Sequence, residues 1–600
     1  MKQRKKKSNK RKVPKPQNEV LALQNGEHAL ASGQFGQAIG YFASISMNSP
    51  NYGCACKGHG AALVRMRKWP EALAILQTAH DTLPENPDIL VDAGDAARFI
   101  GNLSAAENLY IEARKRGADG YQIRFGEASI LQERKLWIKA VRSWTELNTS
   151  YPDNSHVLHN LGKAWHELGE TDKAVSLMLE SFELGRDRIT LSMLGMLAPH
   201  AGSCGHEEVR RFRTNVGEQL KLEEGNPRDS RYCRRENGRI NIGYVSAFFH
   251  RRNWMKPVWA LLNNHDRENF NVHLFADGPP GEINTEGGYV PHTQDTIYDV
   301  RKLGNRDLAK LISDRDIEVL VDLNGYSAIP RLGLWTAKPA PVTIGWFNQY
   351  ATSGLPGIEW LIGDEVVIYP EEEKFYTEKI VRLKQSYLTF QVGYDTPDIE
   401  IPVDDEPFTF GCLGSGYKIT PEVRTAWIRL LSETNGTRLL VRNKVLGEES
   451  HRKWFLDFFT SEGIDSERVI LLGPAEHDEF LKTYGKIDLA LDTFPYNGGT
   501  TTMEALWQGV PLICFKGNRW VSRTSATLLN SARLCDFVGE DEKEYVDIAK
   551  KWSSPGQKDK LRKLRTEMRA RLENSMVCDG AGLARDFERI VFEIIRDHRT

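Results

Sequence analysis

The 600-residue chain has no apolar run approaching the ~18 residues that a membrane-spanning helix requires. Its start lacks the apolar core of a secretory signal. Eight cysteines are scattered along it without a single C-x-x-C pair, which excludes zinc-finger spacing. Cys54 and Cys56 would point to different faces of one helix and are too close for an ordinary bridge. A reduced, cytoplasmic protein is expected. Bulk charge is also missing, at -2 overall. The basic excess sits at the very start, where MKQRKKKSNKRKVPKPQ carries nine Lys/Arg and no acid, leaving 70 basic against 81 acidic residues in the rest. The body is therefore no polyanion binder by charge. Residues 2–15 read as a solvated tail, with a nuclear address or contact to nucleic acid or anionic lipid as the alternatives.

What is present begins with a repeat. Ala38, Ala72, Ala106, Ala140 and Ala174 stand 34 residues apart, and four residues after each comes a large side chain: Phe42, Leu76, Tyr110, Trp144, Met178. Gly26, Gly60, Gly94, Ala128 and Gly162 keep the same phase. Small residues where helices cross, at this period, resemble the tetratricopeptide repeat: helical hairpins that bury their apolar faces only by stacking. Five units are expected over 19–188, behind a basic tail at 1–18. Such an array either holds an extended peptide on its concave face or serves oligomerisation and braces the next domain. A charged transition follows over 189–238.

From about 239 short β-branched runs alternate with helix-length stretches: 240–246, 271–277, 317–323 and 342–347, then 408–413, 437–442, 469–474, 487–493 and 511–515. Strands alternating with helices imply parallel sheets with right-handed crossovers. A Pro- and acid-rich seam near 400 divides two Rossmann-like lobes, 239–400 and 401–600, the second with closing C-terminal helices. Ligands of such sheets bind at the carboxyl ends of strands, in the cleft.

The sharpest segment is IDLALDTFPYNGGTTTMEALWQGVPLICF. A strand ends at Asp492-Thr493, a turn follows at Asn497, Gly498 and Gly499, and TTTMEALW opens a helix. Thr500 or Thr501 suits an N-cap, with Glu504 placed as a capping-box partner. Glycines allow close backbone approach, and N–H groups at a helix start attract phosphate. The alternative is a strand-to-helix turn without a ligand. Asp314-Arg315-Asp316 has the D-x-D form that binds metal elsewhere, but it precedes its strand and reads as solvent-facing.

This segment resembles the signature of the O-GlcNAc transferase/SPINDLY family of glycosyltransferases, bacterial type. GYKITPEV (416–423) is similar to the family's lysine loop, SRTSATLL (522–529) to its serine-arginine helix, and 351–367 and 378–390 to the first lobe's loop and closing strand region. The resemblance implies a tetratricopeptide superhelix followed by a GT-B fold, and inverting transfer from a nucleotide sugar to Ser/Thr of a polypeptide. It implies no cofactor or metal: a lysine and a helix start can neutralise a diphosphate leaving group. UDP-GlcNAc is the implied donor, with a GDP-sugar as the alternative. The donor residues implied are Lys418 with Ser415 and Tyr417, Ala475 and His477, Asn497 to Thr501, Glu504, Ser522 and Arg523. Asn324, Tyr326, Thr352, Ser353 and Gly354 are implied for the acceptor side.

The chain departs from the family pattern at three places. After GYVS, Phe248 replaces an Asp and Arg252 a histidine, with His250 displaced by two. Asn348 to Ala351 replace Gly-Tyr-Pro-Gly, and Gly499 replaces the histidine before the paired threonines of animal members. A transfer to a hydroxyl wants a proton acceptor within about 3 Å. Asp322, Glu318 and His250 are the candidates, Asp322 the better placed of the two carboxylates. The rival reading is a scaffold that binds nucleotide without turnover.

Overall fold

The structure, a computed structural model, describes residues 16–224, 238–251, 253–279, 281, 283, 285–336, 338–402 and 406–597. The basic residues 2–15 and Arg252 lie outside the described residues. The chain forms two compact units, divided between Val157 and Leu158.

The first unit is a row of antiparallel helices, from Pro16–Ala31 to Trp137–Ser150. Their packing explains the 34-residue phase. A Cβ placed on Gly26 would lie 2.6 Å from the Phe42 ring, on Gly60 2.5 Å from Leu76, and on Gly94 2.5 Å from Tyr110. Each large residue fills the space a glycine leaves on the partner helix, and Ala38, Ala72, Ala106 and Ala140 are fully buried at the crossings. Gly162 and Met178 repeat the pairing within the second unit, at 3.0 Å.

The second unit holds two all-parallel sheets. The first contains β1 (Ile240–Ser246), β2 (Phe270–Ala276), β3 (Thr296–Asp299), β4 (Val319–Asp322), β5 (Val342–Gly345), β6 (Trp360–Asp364) and β7 (Lys379–Leu383). Their order is β3-β2-β1-β4-β5-β6-β7. Ile242 stands opposite both Val272 and Val319, so β1 is central and apolar on both faces. The second sheet contains β8 (Thr409–Cys412), β9 (Arg438–Arg442), β10 (Val469–Leu472), β11 (Leu489–Leu491), β12 (Leu512–Phe515) and β13 (Val538–Gly539), in the order β10-β9-β8-β11-β12-β13. The expected helical array followed by two Rossmann-like sheets is therefore what the chain builds. Two strands of the first sheet escaped the sequence reading. β3 is a mostly exposed edge strand, and β6 lies within a stretch read as a loop. The last helix, Gly580–Asp597, was grouped with the second lobe but packs on the first. There Asp586 accepts from Lys384 N at 2.7 Å and Glu588 from Asp266 N at 2.8 Å.

The charged transition contributes the helices Arg188–Leu197 and His206–Glu224. Arg213, 2% exposed, donates from the second of these to the carbonyls of Gly195 (2.8 Å), Gln349 (3.0 Å) and Thr352 (2.8 Å). One turn on, a Cβ on Gly217 would overlap the Gly354 carbonyl oxygen, so helix and loop touch backbone to backbone. Gly217→Ala must push them apart. We expect a loss of about 1–3 kcal/mol, the usual cost of overpacking, measured as a lower denaturation midpoint at unchanged m-value.

Candidate active site

In the second sheet the order reverses at β8, whose neighbours are β9 and β11. The loops leaving these strands meet at their carboxyl ends around a cavity of about 440 Å³. Ser415, Gly416 and Tyr417 line it from the loop after β8, Asn443 and Lys444 from the end of β9, and Ala475 from the loop after β10. Thr500, Thr501 and Glu504 close it from the helix Thr500–Trp507, and Asn253 reaches it from the first lobe.

The loop after β11 is held from within. Asp492, buried at its start, accepts from Thr493 N at 2.9 Å and Gly498 N at 2.7 Å. Thr493 Oγ1 donates to the Tyr496 carbonyl at 2.7 Å and Asn497 Nδ2 to the Thr493 carbonyl at 2.8 Å. Gly499 is the N-cap, so no side chain caps the first turn beside the cavity. This corrects the capping-box reading. With Gly499 at N-cap, Glu504 stands too far along the helix and pairs instead with first-lobe residues. Its Oε1 accepts from Asn253 Nδ2 at 3.1 Å and lies 3.4 Å from Lys256 Nζ, both ends of that ion pair being 2% exposed.

Lys418 Nζ donates to the Asn497 carbonyl at 2.7 Å, tying the lysine loop to the Gly-rich turn. Burial pulls its ammonium down to about 8, against the opposing charge of Asp492. The Tyr496 ring lies under it, 3.6 Å from Nζ to the centroid. Ser415, Tyr417, Lys418, Ala475 and Asn497 to Thr501 are thus brought together. His477, Ser522 and Arg523 are placed elsewhere. His477 Nε2 meets the Tyr394 hydroxyl at 3.1 Å. Ser522 Oγ donates to the Arg519 carbonyl at 2.8 Å. Arg523 makes two bonds to the buried Glu372 of the first lobe, at 2.7 and 2.8 Å, and faces the Tyr369 ring at 3.8 Å. It braces the two lobes.

The acceptor-side and base candidates are also engaged in the frame. Ser353 N and Thr352 Oγ1 donate to Glu378, at 2.6 and 2.8 Å, and Gly354 takes φ +64° against the Arg213 backbone. The Tyr326 hydroxyl donates to the Ser353 carbonyl at 3.0 Å, and its ring lies under Arg213 at 4.1 Å. Asn324 Oδ1 accepts from Ala247 N at 2.8 Å. Tyr326, Thr352 and Gly354 seat the helix His206–Glu224, a role a linear string does not display. Asp322, fully buried at the end of β4, accepts from Asn324 N (3.0 Å), Gly325 N (3.1 Å) and Gln349 Nε2 (2.9 Å), while burial raises its carboxyl. Glu318 stands at the amino edge of the sheet, accepting from Asn241 N at 3.0 Å. His250 lies beside Gly278, its imidazole lowered by burial and by Arg251. None of the three lines the cavity at the carboxyl ends of the second sheet. Asp314-Arg315-Asp316 also precedes β4 at the amino edge, with Asp314 bonded to Lys310.

The residue missed was His200. Its ring stacks on Tyr496 with centroids 4.0 Å apart and planes 18° from parallel, and its Nδ1 is buried without a partner. Burial holds the imidazole well below its usual range, with His166, Lys418, Arg213 and Arg519 adding to the effect, so the neutral form is favoured. His166 lies over Tyr417 at 5.1 Å, and Tyr350 meets Tyr496 edge-on at 5.4 Å. The only sequence signal was a lone histidine in LAPHAGS, inside a stretch read as transition.

Residues 220–396 and 400–586 match glycosyl transferase family 41. The chain belongs to that family. Among its relatives is the probable UDP-N-acetylglucosamine–peptide N-acetylglucosaminyltransferase SPINDLY of Solanum lycopersicum, 31% identical over 355 residues, 58% of this chain and 38% of that protein. The probable enzyme of the same activity named SEC, from Arabidopsis thaliana, is 26% identical over 61% of this chain and 38% of its own length. The chain spans about two fifths of the length of these relatives. A lysine-to-methionine mutant of the Thermobaculum terrenum O-GlcNAc transferase shares the fold, with a TM-score of 0.70 at 24% identity over 84% of this chain and 96% of that one. Among the described residues no helix is long and apolar enough to cross a membrane.

Proposed function

We propose that the chain is an inverting, metal-independent glycosyltransferase of the cytoplasm that moves GlcNAc from UDP-GlcNAc to a Ser/Thr hydroxyl of a polypeptide lying along its helical repeats. The names borne by the family 41 relatives support the donor and acceptor classes. One observation carries the chemistry: Lys418 Nζ is tied to the Asn497 carbonyl just ahead of the uncapped start of Thr500–Trp507, whose Thr500 and Thr501 line the cavity, and His200, which borders a smaller neighbouring cavity, stacks on Tyr496 beside the lysine.

The cavity takes the diphosphate at the helix start, where N–H groups and the dipole favour negative charge. Glu504 and the backbone near Ala475 face the nucleoside end. The acceptor oxygen attacks the anomeric carbon from the side opposite the diphosphate. The carbon–oxygen bond to the diphosphate breaks, its electron pair leaves with the nucleotide, and Lys418 balances the charge that develops. The hydroxyl proton passes to His200. One displacement inverts the anomeric centre, and no cofactor takes part.

The test is nucleotide release from a panel of UDP- and GDP-sugars, in chelator, with lysate protein as acceptor. Release from one donor, accompanied by label in protein, is expected. His200→Gln should cut transfer about 10²-fold, the lower end of general-base effects, with nucleotide affinity retained. Nucleotide binding without release from any donor would favour the scaffold reading, in which the engaged Asp322 and His250 leave no base at the cavity.

A further inference from the structure

The strongest structural coincidence at the site is a side chain that the transfer scheme does not use. Tyr496 follows the loop's proline, and its ring is shared by two groups of opposite duty. Lys418 Nζ sits 3.6 Å from the centroid and the His200 ring 4.0 Å from it, nearly parallel. Two groups so close to one centroid would collide on the same face, so they occupy opposite faces. Tyr350 meets the ring edge-on at 5.4 Å, and Tyr417 lies 6.1 Å away.

We propose that Tyr496 is a positioning residue: its ring is a dry partition that fixes the leaving-group lysine on one face and the proton-accepting histidine on the other. This deepens the transferase reading and rests on it. The physical argument has two parts. A cation over an aromatic face is attracted by the ring quadrupole, which together with the Asn497 carbonyl directs Lys418 toward the diphosphate. The same ring covers one face of His200 and excludes the water that would stabilise an imidazolium.

The charged groups acting on His200 are Lys418, Arg213 and Arg519, with His166 as a second imidazole. Glu170, Asp172, Lys173 and Glu422 line a small cavity that also reaches it. Glu170 is bonded to Arg424, and Asp172 accepts from Ser203 N, so two of these carboxylates are already committed. Removal of the ring therefore acts chiefly by admitting water. That water relieves the burial of the imidazole and screens Lys418, and both changes move the His200 titration upward.

The test uses the full chain with Tyr496→Phe, Tyr496→Leu and Tyr496→Ala. Histidine ring signals are followed by NMR against pH, and His200 is assigned by its loss in His200→Gln. Tyr496→Ala should raise the His200 midpoint by about one pH unit, as expected when burial is relieved. Its kcat should fall about 10²-fold through misplacement of the reacting groups. Tyr496→Phe keeps the ring and should leave the midpoint in place and kcat within about threefold. Tyr496→Leu serves if the alanine variant does not fold, since it fills the space without a π-face and should lose kcat while keeping its melting temperature. An unmoved His200 midpoint in Tyr496→Ala, or a Phe variant as damaged as the Ala variant, overturns the proposal. Wild-type chain that turns over no donor would sink the transferase reading instead, and the NMR titration would still decide the partition.

Discussion

Lys418→Ala is expected to slow cleavage of the sugar–diphosphate bond about 10³-fold, near 4 kcal/mol of lost transition-state stabilisation. The magnitude follows from where the charge develops. In the proposed transfer the departing diphosphate gains negative charge in a cavity walled by Leu413, Pro474 and the carboxyl ends of the sheet, where a fixed cation beside it acts at low dielectric. The helix start remains in the variant, so residual activity should exceed background. Because burial holds the Lys418 ammonium to about 8, it loses its proton in free enzyme as pH rises through that value. The kcat/KM profile should therefore fall on its basic side near pH 8. Bound diphosphate favours the charged form, so the corresponding limb of kcat should lie higher. Lys418→Arg should recover little: the planar guanidinium cannot sit over Tyr496 and reach the Asn497 carbonyl in the same pose. A basic limb unchanged in Lys418→Arg would remove the lysine from this role.

The parts of the molecule that were legible in the sequence are those built from neighbours along the chain. The 34-residue phase pairs Gly94 with Tyr110 and Gly60 with Leu76 inside single hairpins, so periodicity alone reports the contact. The Gly-rich turn was legible for the same reason: Gly498 N bonds to Asp492 and Asn497 Nδ2 to the Thr493 carbonyl, all within seven residues. Lys418 was found through the resemblance of GYKITPEV to the family's lysine loop, a short contiguous motif. What stayed hidden depends on distant segments. His200 reaches Tyr496 across almost 300 residues, and nothing in LAPHAGS marks it. Thr352, Ser353 and Tyr326 were placed on the acceptor side through the family resemblance. Their partners are Glu378 and Arg213, the latter on the helix His206–Glu224, and that helix was read only as transition. Glu504 was misread by two residues, since pattern cannot say whether the N-cap is Gly499 or Thr501.

The same contrast governs the second large effect. Glu372→Ala should destabilise the protein by about 3–5 kcal/mol, because it strands a buried guanidinium. Arg523 is 3% exposed, and both its terminal nitrogens donate to Glu372, at 2.7 and 2.8 Å, which joins the segment Pro370–Phe375 of the first lobe to the helix Thr524–Ser531 of the second. His206 adds a third contact, 3.5 Å from the same carboxylate, while its ring stacks on Phe375 at 4.8 Å. Burial pushes the Glu372 carboxyl up, but the bonds from His206, Arg523 and Tyr369 N outweigh it and hold it to about 2. Its value in the unfolded chain is higher, so the folded state binds the proton more weakly. The stabilisation is fully present above the unfolded value near 4.5 and drains away as pH falls from there toward about 2. Removing Arg523 as well should return part of the loss, because no buried charge is then left unpaired. The measurement is urea unfolding of wild type, Glu372→Ala and the Glu372→Ala/Arg523→Met pair at pH 7 and pH 3.5. The single variant should be the least stable at pH 7, and its deficit against wild type should shrink at pH 3.5. A deficit that is the same at both pH values would mean that the carboxylate's charge does not join the lobes. In that case the segment Pro370–Phe375 is held by the Phe375–His206 stack and its own turn.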